Sequence, residues 1–341
     1  MTAPRVGVLA TGAYLPAQIR TNEEVETAVR VPRGWIRQRT GVLRRHVAAP
    51  EQAASDLAAQ AVRRALDPIG LHATDLGLLV LATSTPDELG PSCACRVQHL
   101  LGASNAVAFD IGAACSGWLF GARVAHDWLR AETGTGVGGG GRYAAVVGVE
   151  VYSRFLSPAD RTTAVLFGDG AAATVLGHVP DDTGFAAITL GSDGAMADDV
   201  LIPAGGSRLP ACARTIADGL HRVRMDGRVV RDFILEIFPA AVADALARNG
   251  LDLNAIDLLV THQPNPVLLR QAAEDLGIPP ERVVVVGDLP GNIGAASIPL
   301  GLARAADDGR LQPGDRVLIV AFGAGATWGS TVLTWTAERT R

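Results

Sequence analysis

One segment of the sequence occurs twice at a constant spacing, and this repeat limits the folds that the chain can adopt. "GLHATDLGLLVLATSTP" begins at Gly70 and "GLDLNAIDLLVTHQPNP" begins at Gly250, so the two segments align without a gap. Each one follows an Ala-rich amphipathic pattern that is typical of a helix. Each one also contains a short apolar run that is typical of a buried strand, Leu78–Leu81 in the first and Leu258–Thr261 in the second.

A second pair of matching segments follows the first pair. "GAACSGWLFGARVA" and "GNIGAASIPLGLARA" are turns of small residues that lead into helix patterns. "RYAAVVGVE" and "DRVLIVAFG" are continuous apolar runs, which are typical of central strands. We therefore predict a duplicated α/β fold. Its two halves, residues 1–180 and residues 181–341, are related by a pseudo-twofold axis and pack their central sheets in layers.

The composition of the 341-residue chain fits a well-buried α/β protein, with 48% hydrophobic and 19% charged residues. A net charge of −5 and the lack of a basic tract argue against nucleic acid or an anionic membrane as a partner. The apolar runs are too short to cross a bilayer and the first residues lack a signal-peptide pattern, so we expect a cytoplasmic protein. None of the four cysteines forms a metal-type CxxC pair, so we expect no metal site.

Three side chains suited to thioester chemistry lie at the ends of corresponding elements in the two halves. They are Cys115, His262 and Asn292, and a pseudo-twofold packing would bring them together. A thiolate attacks an acyl carbonyl, and a helix N-terminus such as the one after Cys115 lowers a thiol pKa. Imidazole and amide groups donate hydrogen bonds to a developing enolate oxygen. Each residue alone has an ordinary structural explanation, but their joint placement favours a catalytic site.

The motifs around these residues resemble those of the β-ketoacyl-acyl carrier protein synthase III family, in the thiolase superfamily. The matching motifs are "RGWIRQRTGVLRRH", "DIGAACSGWLFG", "DRTTAVLFGDGAAATVL", "THQPNP", "GNIGAASIPL" and "AFGAGATWGS". They occur in the family's order from about residue 5 to about residue 337. Any one motif is weak evidence, but the ordered set is very specific. The resemblance implies that the duplicated α/β fold is thiolase-like.

The resemblance implies a role for each matching residue. Cys115 corresponds to the nucleophile that accepts an acyl group. His262 and Asn292 correspond to the pair that assists decarboxylation of a malonyl thioester and stabilises its enolate. The backbone amides of Cys115 and Ala324 correspond to the oxyanion hole, although the family usually has Gly where Ala324 stands.

The resemblance also implies a site for coenzyme A, which would be the carrier of the substrate rather than a bound cofactor. Trp35 and Arg161 correspond to a pair that sandwiches the adenine ring, and Arg39 corresponds to a phosphate contact. An indole and a guanidinium both stack on a base, and Arg adds positive charge.

The chain departs from the family where an acidic acyl carrier protein would dock. Members that use this partner usually have basic residues beside the tunnel mouth. The corresponding residues here are Val267, Glu274, Asp275 and Asp232, whereas Arg231 and Arg270 are expected to point elsewhere. Because like charges weaken association, a free fatty-acid acyl carrier protein is a doubtful partner.

Gly90 marks a second departure from the family. The family commonly has Phe or Thr at this position, on a loop that reaches into the acyl pocket of a partner subunit. The resemblance thus implies a homodimer, and Gly90 would leave the acyl pocket open for a primer larger than acetyl.

These observations favour a condensing enzyme that acylates Cys115 from an acyl-CoA and then attacks with a decarboxylated malonyl-type thioester. The unusual docking surface favours starter-unit chemistry in secondary metabolism. The alternative is transfer of the acyl group, without decarboxylation, to a hydroxyl or amine of a small acceptor. An α/β-hydrolase and an inert partner subunit fit less well, because the first lacks this duplication and the second would lack the nucleophile.

Overall fold

The computed structural model describes residues 4–131 and 142–337. In chain order the strands are β1 (Arg5–Tyr14), β2 (Gln18–Thr21), β3 (Arg44–Val47), β4 (Leu76–Ala82), β5 (Val107–Ile111), β6 (Tyr143–Val151), β7 (Asp169–Val179), β8 (Gly184–Phe185), β9 (Thr189–Ser192), β10 (Val200–Leu201), β11 (Arg224–Met225), β12 (Leu258–Thr261), β13 (Arg316–Gly323) and β14 (Thr327–Thr334). The helices are α1 (Asn22–Val29), α2 (Trp35–Thr40), α3 (Ala54–Leu66), α4 (Cys93–Leu101), α5 (Gly117–Ala131), α6 (Ala213–Ala217), α7 (Gly227–Asn249), α8 (Pro266–Asp275) and α9 (Ser297–Asp307).

Two mixed sheets repeat one pairing pattern. The first sheet has the order β1-β7-β6-β4-β5, in which β4 is parallel to both β5 and β6, and β7 is antiparallel to β6 and β1. The second has the order β12-β13-β14-β8, with β9 also beside β14, and here β12 and β13 are parallel while β14 is antiparallel. The order of parallel pair followed by antiparallel strand therefore occurs in both halves, as the repeat predicts.

The register of the central strands is also the same in the two sheets. Leu78 pairs with Ala144 across β4 and β6, and Leu258 pairs with Val317 across β12 and β13. The first sheet ends with β7 and the second begins with β8, on either side of the expected division between residues 180 and 181. That division stays a prediction.

The two sheets and their helices form five layers. Alternate residues of a strand face opposite sides of its sheet, so each buried strand contributes to two apolar clusters. One cluster lies between the sheets and contains α5 and α9, with Trp118 and Ile298 among its members. Helices α3 and α4 cover the outer side of the first sheet, and α7 and α8 cover the outer side of the second. Among the described residues, no helix has the length and apolar character needed to span a bilayer.

Candidate active site

Both halves place a short 3-10 turn directly before their central helix. Ala114–Ser116 precedes α5, and Gly294–Ala296 precedes α9. The first residue of each turn is left-handed, with φ of 45° at Ala114 and 49° at Gly294. This conformation is free of penalty for Gly but costs a residue with a Cβ about 1–2 kcal/mol. The chain therefore carries backbone strain next to Cys115, which is a feature of functional sites.

Cys115, His262 and Asn292 line one cavity of about 890 Å³. Cys115 comes from the turn of the first half, and the other two residues come from the second half. The structure thus brings together the three residues that the sequence analysis singles out. One thiol, one imidazole and one amide therefore line the same cavity between the two halves.

His262 follows strand β12 directly and is held by its backbone and its ring. Its N–H donates to the carbonyl of Val320 at 3.1 Å, and its ring packs edge-on against Phe322 at a centroid distance of 5.3 Å. Burial lowers the pKa of His262 to about 3, opposed in part by a backbone hydrogen bond with Gly294. The imidazole is therefore neutral at neutral pH, with one nitrogen able to donate and the other able to accept.

Asn292 is held in an orientation that leaves its amide nitrogen free to donate. The Asn292 N–H donates to the carbonyl of Leu166 at 2.8 Å. Its side-chain Oδ1 accepts a hydrogen bond from the Gly294 N–H at 2.9 Å. Since the oxygen of the side chain is already engaged, the NH₂ group is the part that can serve a ligand in the cavity.

Cys115 differs from the sequence-based expectation of a lowered thiol pKa. The side chain keeps some exposure to the cavity, but the surrounding protein removes most of the bulk water. This desolvation raises the pKa of Cys115 to about 12, and the charge of Glu150 acts in the same direction, while the hydroxyl of Tyr152 opposes it. The thiol therefore keeps its proton at neutral pH, and attack on a thioester needs a base.

Gly323, at the end of β13, leaves space around the backbone amide of Cys115. A Cβ at Gly323 would lie 2.7 Å from the Cys115 nitrogen, which is too close for any side chain. The next residue, Ala324, lines the same cavity. Both candidates for the oxyanion hole therefore lie on the cavity wall, and a glycine is required beside the pair rather than at position 324 itself.

Thr327 fastens the nucleophile turn to strand β14 of the other half, which the sequence analysis missed. Its Oγ1 donates to the carbonyl of Ala113 at 3.0 Å, and its own carbonyl accepts a bond from Ser116 Oγ at 3.0 Å. These bonds cross between the two halves and hold both ends of the turn that carries Cys115.

The comparisons with known proteins identify the family. The model of the 3-oxoacyl-[acyl-carrier-protein] synthase III family matches residues 109–194, and the model of its C-terminal part matches residues 246–335. The β-ketoacyl-[acyl-carrier-protein] synthase III of Caldanaerobacter subterraneus subsp. tengcongensis is 42% identical, over 96% of this chain and 97% of that relative. The chain belongs to the 3-oxoacyl-[acyl-carrier-protein] synthase III family.

Two further comparisons extend this result for the synthase III chain. The acetoacetyl CoA synthase NphT7 of Streptomyces sp. (strain CL190) is 41% identical, over 98% of this chain and 100% of that relative. The crystal structure of the β-ketoacyl-[acyl carrier protein] synthase III of Thermus thermophilus superposes with a TM-score of 0.86 at 37% identity, covering 97% of this chain and 100% of that one. The resemblance, the thiolase-type fold and the assignment as an acyl-transferring condensing enzyme are confirmed.

Of the three residues expected to bind coenzyme A in this synthase III, Arg39 lines the cavity and the other two lie outside its wall. Trp35, on the same helix α2, packs against an apolar cluster that contains Ala164 and Val165. Arg161 is exposed shortly before those two residues. The three residues thus belong to elements that pack together, while their contact with coenzyme A stays a prediction.

Nothing in the described part of this synthase III offers a cluster of metal ligands. Among residues 4–131 and 142–337, no group of three or more His, Cys, Asp or Glu side chains comes together as an ion site would require. The proposed chemistry below uses the side chains of the chain and the thioester of the substrate alone.

Gly90 lies on the surface of the single chain and outside the cavity wall. A Cβ at this position would meet nothing within 4 Å, and the neighbouring Leu89 is 86% exposed. By the family resemblance, this loop reaches into the acyl pocket of a partner subunit. The expected role of Gly90 in an acyl pocket needs a second chain and stays a prediction.

Helix α8 presents only part of the expected acidic surface to the cavity of the synthase III. Asn265 caps the helix by accepting a bond from the Leu268 N–H at 2.8 Å, and this start determines which residues face inward. Val267 and Asp275 line the cavity, whereas Glu274 does not. Of the two acidic residues expected beside the tunnel mouth on this helix, Asp275 is therefore the one that lines the cavity.

Helix α7 contributes a positive charge where the sequence analysis expects a negative one. Arg231 lines the cavity, and Asp232 does not. The helix begins after Asp226, whose carboxylate accepts bonds from the N–H groups of Arg228 and Val229 at 3.0 and 3.3 Å. This start places Arg231 inward, so the expectation that Arg231 points elsewhere is wrong. Among the charged residues of α7 and α8, Asp275 is the one that brings negative charge to the cavity wall.

Two further residues near the nucleophile were missed by the sequence analysis. Tyr152 lines the cavity, and Glu150 is fully buried beside it in the run "VVGVEVYS". The signal was a single Glu within an otherwise apolar strand, since buried carboxyl groups are rare unless they have a specific partner.

Proposed function

We propose that the chain condenses an acyl-CoA with malonyl-CoA to give a 3-oxoacyl-CoA and CO₂. The observation that carries the proposal is that Cys115, His262 and Asn292 line one cavity. In the first step the sulfur of Cys115 forms a bond to the acyl carbonyl, and the bond from that carbonyl to the coenzyme A sulfur breaks. The Cys115 proton leaves through a base, and the coenzyme A thiolate takes up a proton.

The neutral imidazole of His262 is the base that lies in the same cavity. The backbone amides of Cys115 and Ala324 stabilise the oxyanion that forms on the acyl carbonyl. These donors are fixed before the substrate arrives, because Gly323 keeps the Cys115 amide open and Thr327 holds the turn. Coenzyme A enters past Arg39, whose charge attracts its phosphates.

The second step is decarboxylation of the malonyl thioester. The carbon–carbon bond to the carboxylate breaks, CO₂ leaves, and the electron pair forms an enolate at the thioester oxygen. Asn292 donates from its NH₂ group and His262 donates from its imidazole N–H to that oxygen. The enolate carbon then attacks the acyl group on Cys115, and the thiolate of Cys115 leaves as the new carbon–carbon bond forms. That thiolate takes up a proton from solvent, which restores the thiol for the next cycle.

The choice of coenzyme A rather than a carrier protein for the malonyl group rests on the cavity mouth. Asp275 lines the cavity and accepts a hydrogen bond from Gln271 at 2.8 Å, so its charge offsets that of Arg231 on the same wall. The neighbouring Val267 is exposed and uncharged. An acidic carrier protein gains less from such a mouth than from a basic one. A relative that is 41% identical is named acetoacetyl CoA synthase. A CoA-bound product is not on the carrier that fatty-acid elongation uses, so we further propose starter-unit chemistry in secondary metabolism.

The proposed preference can be tested with the two forms of the malonyl group. We predict that kcat/KM for malonyl-CoA exceeds that for malonyl-carrier protein by at least about tenfold, the equivalent of about 1.4 kcal/mol. Asp275→Lys should raise the rate with the carrier-bound group up to about fivefold at low salt, the upper end for one exposed charge. The gain should shrink at 0.15 M salt, where the screening length is about 8 Å.

Glu274→Lys is the matched control for this experiment. Glu274 is the residue before Asp275 on the same helix, carries the same charge and does not line the cavity. It should give a smaller gain than Asp275→Lys, and both variants should keep their rate with malonyl-CoA. A wild-type preference for the carrier-bound malonyl group, or equal gains from the two variants, would refute the proposed role of the mouth.

We also propose that the chain forms a homodimer through the edge of its first sheet. Strand β5 is the last strand of that sheet, its residues are apolar except for Asp110, and all of them are partly or fully exposed in the single chain. An open edge strand of this kind readily pairs with another strand. The exposed loop with Leu89 lies between β4 and the helix that precedes β5.

The expected result is a particle of about twice 35.3 kDa in light scattering at micromolar concentration. The edge and the loop would then be covered by the second copy, and Gly90 would come to lie beside the cavity of the partner. A single particle of 35.3 kDa would contradict both the dimer and the proposed role of Gly90.

A further inference from the structure

Glu150 is a buried carboxyl group near the nucleophile for which the proposed reaction has no use. It lies in β6 within an apolar run, and its exposed fraction is 0%. Its carboxyl accepts hydrogen bonds from the Ser84 N–H at 3.1 and 3.2 Å and from Thr85 Oγ1 at 2.9 Å. None of these donors carries a charge, so the carboxyl is buried without a cation to balance it.

The carboxyl of Glu150 also reaches the turn that follows Asn292. The Ala295 N–H donates to Oε1 of Glu150 at 3.5 Å. A Cβ at Gly294 would lie 2.7 Å from the same oxygen, so the turn is packed directly on the carboxyl. The turn has a glycine where the matching turn of the first half has Ala114, and this leaves room for the carboxyl.

The duplication shows what position Glu150 occupies. Since the registers of the two sheets agree, Glu150 in β6 corresponds to Gly323 in β13. The turn Gly294–Ala296 likewise corresponds to the turn that carries Cys115. In the first turn the absent side chain at Gly323 leaves the Cys115 amide open to a substrate. In the second turn the carboxyl of Glu150 fills the equivalent space in front of the Ala295 amide.

We propose that Glu150 is a positioning residue for malonyl decarboxylation, because its carboxyl holds the Gly294–Ala296 turn and through it the amide of Asn292. The link is the hydrogen bond from the Gly294 N–H to Oδ1 of Asn292 at 2.9 Å. His262 is tied to the same turn, since the backbone of Gly294 affects its pKa. This inference rests on the proposed condensation and adds to it the group that orients the enolate donors.

The carboxyl also acts on the nucleophile through its charge. Burial raises the pKa of Glu150 to about 8, so the group changes charge in the range just above neutral pH. The titratable groups whose pKa its charge raises are Cys115 and Tyr152. An ionised Glu150 therefore disfavours the thiolate of Cys115, and a neutral residue at this position should favour it.

The test measures two partial reactions separately, acylation of Cys115 by intact-protein mass spectrometry and CO₂ release from malonyl-CoA. Glu150→Ala should acylate within about threefold of the unaltered protein but release CO₂ about 10- to 100-fold more slowly, as expected for a donor that has shifted by about 1 Å. Glu150→Gln should restore CO₂ release to within about fivefold, since its amide oxygen can accept from the Ala295 N–H.

Glu150→Gln supplies a second readout that a merely structural role would not move. Because the variant has no charge at position 150, the pH profile of Cys115 acylation should shift to lower pH. If Glu150→Ala does not fold, Glu150→Asp replaces it. The shorter side chain keeps the acid but withdraws it from the turn, and it should lose CO₂ release while retaining acylation.

Val149→Ala is the matched control, since Val149 is buried on the same strand but faces the cluster of α3 on the other side of the sheet. Val149→Ala should either leave the rates of acylation and of CO₂ release unchanged or lower both rates by the same factor. Equal loss of acylation and CO₂ release in the Glu150 variants, or an unchanged pH profile in Glu150→Gln, would overturn the inference. No CO₂ release by the unaltered protein would overturn the proposed condensation, and this inference with it.

Discussion

A protein with Cys115 replaced by Ala should take up no acyl group from any acyl-CoA. The sulfur of Cys115 is the atom that forms the bond to the acyl carbonyl, and none of the other three cysteines lines the cavity. Loss of a nucleophile that works with a base lowers kcat by up to about 10⁶-fold. Cys115→Ser should be nearly as inactive, because an alcohol is a much weaker nucleophile than a thiolate near neutral pH. Intact-protein mass spectrometry after incubation with a panel of acyl-CoA thioesters measures the uptake.

The other cysteines provide the controls for this result. Cys93 is buried, and its pKa is raised by burial and by the charge of Asp87. Cys95 and Cys212 are exposed. Changing any of these three to Ala should leave acylation intact in a folded protein. An acyl group that still attaches to the Cys115→Ala protein would show that the nucleophile is elsewhere.

Replacing His262 or Asn292 by Ala should separate the two halves of the reaction. Each variant should still acylate Cys115, although His262→Ala should do so more slowly because the base is lost. Release of CO₂ from malonyl-CoA should fall about 100-fold or more, since one missing donor at a developing oxyanion costs about 3 kcal/mol. The measurement is CO₂ release at saturating malonyl-CoA, with acylation followed in parallel.

Two matched variants make the outcome specific. Asn292→Asp keeps an oxygen for the Gly294 N–H but has no NH₂ group, so it should lose CO₂ release as fully as Asn292→Ala does. His126→Ala removes a histidine that is also buried but lies outside the cavity wall, and it should retain both partial reactions. If the unaltered protein forms an ester or amide with an added hydroxyl or amine acceptor, without CO₂ release, simple acyl transfer would be favoured instead.

The order and register of the two sheets could be predicted from the repeated sequence. Apolar runs of strand length define buried strands, and equal spacing in the two copies requires equal order and register. Leu78 and Leu258 accordingly pair with equivalent partners. The site was predictable for the same reason, since Cys115, His262 and Asn292 follow the ends of corresponding elements. Their meeting follows from the symmetry of the fold and needs no knowledge of side-chain packing.

What the sequence could not predict depends on contacts between distant segments. Glu150 bonds to Ala295, which is 145 positions away, and nothing near it in the sequence indicates that partner. The pKa of Cys115 is raised because the side chain is buried between the two halves. The helix that starts after Cys115 predicted a lowered pKa, which is the wrong direction. The error at Arg231 arose because a shift of one residue at the start of a helix turns a side chain by about 100°.

The two matching 3-10 turns, Ala114–Ser116 and Gly294–Ala296, make the two halves of the chain depend on one another. At matching positions, one copy has Cys115 where the other has Ala295, and one has Asn292 where the other has Gly112. Each copy therefore supplies one part of the reaction centre and lacks the other. A gene that returned to a single copy would lose half of the parts, and a swap of the two turns would put the thiol in front of Glu150. Neither copy alone can therefore carry out the reaction, although each one places a 3-10 turn before its central helix.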